Sequence, residues 1–260
     1  MDPGGGGTVS TWIAALGQFG DAIDFIFDER ESPAGGAQVG GLAETWELMW
    51  QHLKLSGVSI AIACGISVPL GLWLGHIGKG GFLAINASNV GRAVPSLALI
   101  AFFVAYLGVG YTNLTLALVL LAIPPILTNT YTAVRQVEPD TVDAARGMGM
   151  TGPQIVRRVE LPLALPLMFG GIRISAVNVV ATATIAPLAG VTTLGDPIIN
   201  VNTYGDEGRL AAAIVVALLA VATEVTLGAV QRALTPRGLS LTSAGRRWHA
   251  FPITRREATP

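Results

Sequence analysis

Arg173 and Glu224 are each set inside a long apolar run, residues 163–188 and 210–234. A charge within hydrocarbon is tolerated when it is paired, hydrated or bound to backbone carbonyls. Counted from the polar ends of their runs, both lie at about the same depth, roughly 12 to 15 Å at about 1.5 Å per helical residue. Opposite charges at matched depth on successive antiparallel helices can offset each other. The pair has two readings: a gate or substrate-path element, or an ion pair that locks one span to the next. Ser96, Asn129, Tyr131 and Asn178 are polar side chains inside apolar runs. They would line a polar pathway or act as hydrogen-bonding contacts between helices. Reactive chemistry is harder to assemble. The apolar runs hold no Gly-x-Ser-x-Gly, no His-Glu-x-x-His and no paired aspartates, so an intramembrane enzyme lacks its parts. His52, His76 and His249 stand in separate segments without metal-ligand spacing, and Cys64 is the single cysteine. No metal site, intramolecular disulfide or catalytic residue is therefore expected. Gly78-Lys79 is followed by Gly80, and Trp73 stands where a phosphate-binding loop would need its first glycine, so an ATP site is not expected on this chain.

These residues need elements that cross a bilayer, and the composition provides them. The 260 residues are 51% hydrophobic and 13% charged, about half the charge of an ordinary soluble domain. No charged residue lies between Lys54 and His76 or between Arg92 and Arg135, and runs of about 20 such residues are long enough to span. Five spans are expected, at residues 55–74, 83–107, 114–134, 163–188 and 210–234. Pro124 and Pro125 should kink the third, as a hinge or as a fixed bend. Residues 1–10 are Gly-rich and read as disordered, 11–27 as a surface or interfacial helix, and 31–41 as a linker. Trp46 and Trp50, early in a helix from about Leu42, suit the headgroup level. No basic region precedes an apolar core near the start, so a cleavable signal peptide is not expected. Residues 1–52 hold Arg30 as their one Lys or Arg, against eight acidic residues. Lys79, Arg92, Arg135, Arg146, Arg157, Arg158 and the basic tail all fall on one side if there are five spans. The positive-inside rule then puts the N-terminus outside and the C-terminus in the cytoplasm. The formal net charge of −1 suggests no nucleic-acid partner.

The polar segment at residues 139–162 should form two short helices about a glycine corner. Asp140 reads as the first N-cap, with Gly149 ending that helix in a left-handed conformation. Thr151 reads as the second N-cap, with Pro153 in the first turn and Gln154 completing a capping box. Pro162 and Pro166 should then direct the chain back to the membrane. By physics alone this is an amphipathic connector or a docking element. The residues Asp143-Ala144-Ala145, Gly149, Val159 and Leu161-Pro162 resemble, with full spacing, the EAA loop of permeases in ATP-binding-cassette (ABC) importers. Asp and Val stand here in place of Glu and Ile. The resemblance implies that the loop is the coupling helix that seats in an ATP-binding subunit, with Met148 and Met150 packing toward that partner.

The likeness covers about residues 50–239 and is similar to the osmoprotectant branch, the permeases for glycine betaine, carnitine and choline. It is carried by Trp50-Gln51-His52-Leu53, Val94-Pro95-Ser96-Leu97-Ala98-Leu99, Asn129-Thr130-Tyr131-Thr132, residues 144–150 and Leu234-Thr235-Pro236-Arg237-Gly238. Thr128 departs from a frequent Arg in such relatives, and Arg92 from a frequent Gln. The implied fold is all-α transmembrane, a type I ABC importer permease core. Its parts are an N-terminal extension (1–41), a transmembrane domain (42–239) and a basic cytoplasmic tail (240–260). The implied setting is the inner membrane of a bacterium, in a multi-pass chain. The implied partners are a cytoplasmic ATP-binding subunit that hydrolyses ATP, a second permease copy or paralogue, and an extracytoplasmic binding protein. A quaternary ammonium has no N–H donors and is usually held in an aromatic cage. This chain is 7% aromatic, so the high-affinity site is expected on the binding protein and no cofactor on the permease. The alternatives are a permease for another small polar solute, such as an amino acid or a sulfonate, and a passive channel or scaffold.

Overall fold

The computed structural model describes residues 6–82, 86 and 93–235, with side chains from residue 17. Nine α-helices and one short hairpin are described: α1 (Gly6–Phe27), β1 (Glu29–Glu31), β2 (Gln38–Gly40), α2 (Gly41–Ile77), α3 (Ser96–Leu107), α4 (Tyr111–Arg135), α5 (Pro139–Gly147), α6 (Gly152–Ile155), α7 (Leu161–Thr182), α8 (Asp196–Ile199) and α9 (Val201–Leu234). A π-helical turn, Val156–Glu160, joins α6 to α7, and a 3-10 turn, Ala183–Ala189, extends α7. The protein is an all-α transmembrane chain. Among the described residues four helical segments are long and apolar enough to cross a membrane: Gly41–Ile77, Tyr111–Arg135, Gly152–Ala189 and Val201–Leu234.

A fifth crossing follows from contacts at the ends of these helices. The start of α2 meets the start of α9, where the Tyr204 hydroxyl donates to Glu44 at 3.0 Å. At its far end His76 meets Glu160, just ahead of α7. α7 runs back, because Ala189 accepts a hydrogen bond from Gly110 at the start of α4. α4 then ends beside Gly78, where an added Cβ would lie 3.2 Å from an Arg135 guanidinium nitrogen. The chain leaves α2 at the loop end and enters α4 at the opposite, hairpin end, so it must return across the molecule between them. In that leg α3 has 12 residues. That is about 18 Å of helix, short of the roughly 30 Å hydrocarbon core. Residues 83–85 and 87–92 of the expected 83–107 span, Arg92 among them, lie outside the described residues, as does the tail at 240–260.

Small residues let the spans approach. A Cβ on Gly71 would sit 2.7 Å from the Thr130 Cβ, one on Gly75 2.7 Å from the Val134 Cβ, and one on Gly171 2.5 Å from the Asn129 Cβ. These glycines seat both α2 and α7 against α4. Within a bilayer such close packing supplies the association that the hydrophobic effect supplies in water. Hydroxyls add interhelical bonds: Ser175 donates to the Ala122 carbonyl at 3.0 Å and Ser67 to that of Ile123 at 3.3 Å. Leu55, Ile100, Leu118, Ile126 and Val179 fill the resulting core.

Several sequence expectations are corrected. Helix α1 begins at Gly6, so residues 6–10 are helical rather than disordered. The expected linker at 31–41 contains most of an antiparallel hairpin, Arg30 facing Val39 across a turn in which Gly35 and Gly36 take positive φ. Asp140 is not the N-cap of α5. Glu138 holds that place, and Pro139, with no N–H to leave unsatisfied, opens the helix. Pro162 and Pro166 do not turn the chain: both lie within α7, and the reversal is made at Gly149. The widened π turn lies directly ahead of Pro162, whose missing N–H and ring an unbroken α-helix accommodates poorly. The second loop helix is thus continuous with α7. Asp206 and Glu207, ahead of the expected 210–234 span, already lie in α9, just after a break at Gly205 with φ 71°.

Candidate functional site

The segment between α4 and α7 is built around Gly149. Its φ of 79° is a conformation that glycine adopts without strain. Met150 N–H donates to the Ala145 carbonyl at 3.2 Å and Gly149 N–H to that of Arg146 at 2.9 Å, the paired bonds of a Schellman helix end. Thr151 then starts α6, its N–H held by the Gln154 side chain at 2.8 Å, and Ile155 is buried. The loop's side chains divide by face. Ala145 is buried and Met150, Leu161 and Pro162 are half-buried, whereas Asp143, Ala144, Gly149 and Met148 face outward. Met148 is 73% exposed, a large apolar side chain at the tip of a polar projection. Arg146 pairs with Asp143 at 3.0 Å, but both are more than half exposed and the pair adds little rigidity.

Beneath this loop is a cavity of about 230 Å³, with His76, Arg135, Asp143, Arg146 and Glu160 in its lining. Glu160 is buried, and its two oxygens lie 2.8 and 3.0 Å from His76 Nδ1. Sequence reasoning missed this pair. The two residues are 84 positions apart and each sits at a polar edge, where a charge raises no question. The available signal was topological, since five spans put both at the same membrane face.

Of the polar residues expected inside the spans, the structure joins two. Arg173 donates to Glu224 through Nη2 and, through Nη1, to Gln231 Oε1 at 2.8 Å. Gln231 Nε2 donates onward to the Pro166 carbonyl at 2.8 Å. Gly228 lies opposite the guanidinium, where an added Cβ would be 3.5 Å from its central carbon. Asn129 turns back on its own helix and donates to the Pro125 carbonyl at 2.8 Å. The Tyr131 hydroxyl lies against Gly81, Ser96 opens α3, and Asn178 is on an exposed face of α7. No hydrogen bond joins these four to one another among the described residues. His52 is buried and bonds the Val180 carbonyl through Nε2 at 2.9 Å, tying α2 to α7. Near it an apolar cleft of about 420 Å³ opens between α2, α7 and α9, and among the described residues no aromatic or charged one lines it.

At the hairpin end Asp196 is half-buried and accepts the Thr193 N–H at 2.7 Å. Burial raises its carboxyl above the ordinary carboxylate range; the Thr193 bond opposes this and the Glu44 charge adds to it.

Residues 67–238 match the family model described as "binding-protein-dependent transport system inner membrane component". The chain is 37% identical over 190 residues to the glycine betaine/carnitine/choline transport system permease protein OpuCB of Bacillus subtilis (strain 168), covering 73% of this chain and 88% of that protein. It is 38% identical over 191 residues, with the same coverage, to the choline transport system permease protein OpuBB of that organism. It is 39% identical over 191 residues, again with that coverage, to the carnitine transport permease protein OpuCB of Listeria monocytogenes. In fold it is similar to the MetNI methionine ABC transporter in inward-facing form, with TM-score 0.64 and 23% identity over 75% of this chain and 98% of that one.

Proposed function

The chain belongs to the family of binding-protein-dependent transport system inner membrane components, and we propose that it is the membrane-spanning permease of an ATP-driven importer for small quaternary-ammonium osmoprotectants. The observation that carries this reading is its identity of 37 to 39% to permeases named for glycine betaine, carnitine and choline, over 88% of their length. The loop at residues 139–162 supports the coupling role. It is a pre-ordered projection with an exposed methionine at its tip, suited to seat in a groove of an ATP-binding subunit. The asymmetry of Lys and Arg supports placing that loop in the cytoplasm of a bacterial cell and the N-terminus outside. ATP is bound and hydrolysed on the separate subunit, since this chain carries no phosphate-binding loop. A second permease, a copy or a paralogue, addresses the second ATP-binding subunit. An extracytoplasmic binding protein provides the aromatic cage, and the permease offers a weakly interacting passage with no cofactor of its own.

The test is reconstitution into liposomes with an ATP-binding subunit and a binding protein from the same cell. ATP-dependent uptake of labelled choline, carnitine or glycine betaine is the expected result. Uptake of an amino acid or a sulfonate to the exclusion of all three would overturn the substrate class. ATP-independent flux would overturn the importer.

A further inference from the structure

Building on the reading of this chain as an ATP-driven permease, we propose that His76 is a positioning residue of the coupling loop, and that its contact with Glu160 transmits the loop's position to α2. Glu160 is the last residue of the π turn, between α6, the returning arm of the loop, and α7. Its carboxylate is buried, and a buried carboxylate is stable where a donor meets it. His76 in the last turn of α2 supplies that donor from Nδ1 at 2.8 Å. The opposite side of the ring faces the same arm. A Cβ added to Gly152, the first residue of α6, would lie 3.2 Å from His76 Nε2. The arm therefore grips the imidazole from two sides.

What the grip holds is not free to yield. Gly75, one residue earlier, packs directly on Val134, and Gly78, two residues later, lies beside the Arg135 guanidinium. A displacement of Glu160 is thus handed to the joined ends of α2 and α4. On the side of this contact that faces Arg135, Asp143 and Arg146 is the cavity that His76 and Glu160 also line, and it leaves α5 room to shift. The packed arm and the open cavity together make His76 the fixed point through which a moving loop acts on the spans.

The test uses the complete transporter, with ATP-binding subunit and binding protein, in liposomes. Assembled complex is captured through a tag on the ATP-binding subunit, and ATP hydrolysed per substrate imported is measured. His76→Leu keeps bulk and removes the donor; His76→Asn keeps an N–H near Nδ1. His76→Leu is expected to raise the ratio at least about fivefold, the scale of a site-to-site coupling, and His76→Asn to return it toward wild type. His76→Leu combined with Glu160→Leu should be no worse than His76→Leu alone. A purely structural role predicts another outcome: fewer His76→Leu complexes, each with the wild-type ratio. That result overturns the proposal, as does a double variant whose defect is the product of the singles. Should His76→Leu fail to assemble, Glu160→Gln carries the test: a raised ratio upholds the proposal and an unchanged one refutes it. Absence of ATP-dependent uptake by the wild-type complex would instead fail the permease reading, and this inference with it.

Discussion

Arg173 divides its guanidinium between Glu224 and Gln231, and Gln231 passes the connection to the backbone of Pro166 on Arg173's own helix. The result is a closed polar circuit joining α7 and α9 through an otherwise apolar interface. Removing one charge leaves the other facing hydrocarbon. Arg173→Ala and Glu224→Ala should each lower the thermal midpoint of the detergent-purified protein more than the double substitution does. Simple additivity of the two singles would show that the groups do not depend on each other. Asp196 gives a pH-dependent counterpart outside the spans. Its folded-state affinity for a proton exceeds that of the unfolded chain. The stability this provides is complete below the ordinary carboxylate range and is lost as pH rises through the raised value. Asp196→Asn should therefore flatten the fall in thermal midpoint as pH rises from the ordinary carboxylate range; an unchanged slope would count against this account. The two sites differ in how they read from sequence. Charges in apolar runs announce themselves, and depth counting alone pairs Arg173 with Glu224. Gln231 is neutral and near a helix end, and Glu160 borders a cytoplasmic-type segment, so neither violates a local rule that would draw notice.

At the scale of elements, the loop's shape rests on one backbone conformation. Beyond its two chain neighbours, no atom of the described residues lies within 4 Å of the position a Cβ would take on Gly149, so the cost of a substitution there is set by the left-handed φ. That cost is about 1 to 2 kcal/mol for an ordinary residue and less for Asn. Gly149→Leu should open the corner between α5 and α6, lowering substrate uptake while the chain still inserts; Gly149→Asn should retain most activity. Equal uptake by both variants and wild type would mean that the corner is not needed. Capping and breaker residues made this region legible: Gly149, Thr151 and Gln154 act where their types predict. The errors came from elements whose cause is not local. A hairpin of three-residue strands has too little pattern to separate it from a Gly-rich linker, and its pairing is seen only across the turn. Pro162 signals a helix break, but a π turn directly before it lets the helix continue into α7, a compensation that prolines do not advertise.

For the whole molecule, end contacts decide what hydropathy leaves open. Ser96–Leu107 is too short to be counted as a span by itself, yet the positions of Gly78 and Gly110 at opposite ends require the chain to cross between them. Five crossings put the hairpin and the end of α9 on opposite faces, and Lys and Arg are the more frequent at the second. At the hairpin end Arg30 and Arg209 stand among Glu29, Glu31, Glu44, Asp196, Asp206 and Glu207, whereas Arg135, Arg146, Arg157 and Arg158 accompany Glu138, Asp140, Asp143 and Glu160 at the loop end. Positive residues are retained on the cytoplasmic side during insertion, so the loop end should face the cytoplasm. The crossings themselves were legible in the sequence because apolar spans are long-range patterns; it lacked the contacts that require the short leg to cross. A labelling experiment in a Cys64→Ser background tests the orientation. Glu31 and Arg157 are both exposed, one at each end. In sealed cells an impermeant thiol reagent should label the Glu31→Cys variant and leave Arg157→Cys unmodified until the membrane is opened. Labelling of Arg157→Cys from outside, with Glu31→Cys protected, would invert the orientation and with it the coupling role of the loop, because ATP is on the other side. Labelling of both from outside would mean an even number of crossings, contrary to the path that the helix-end contacts define.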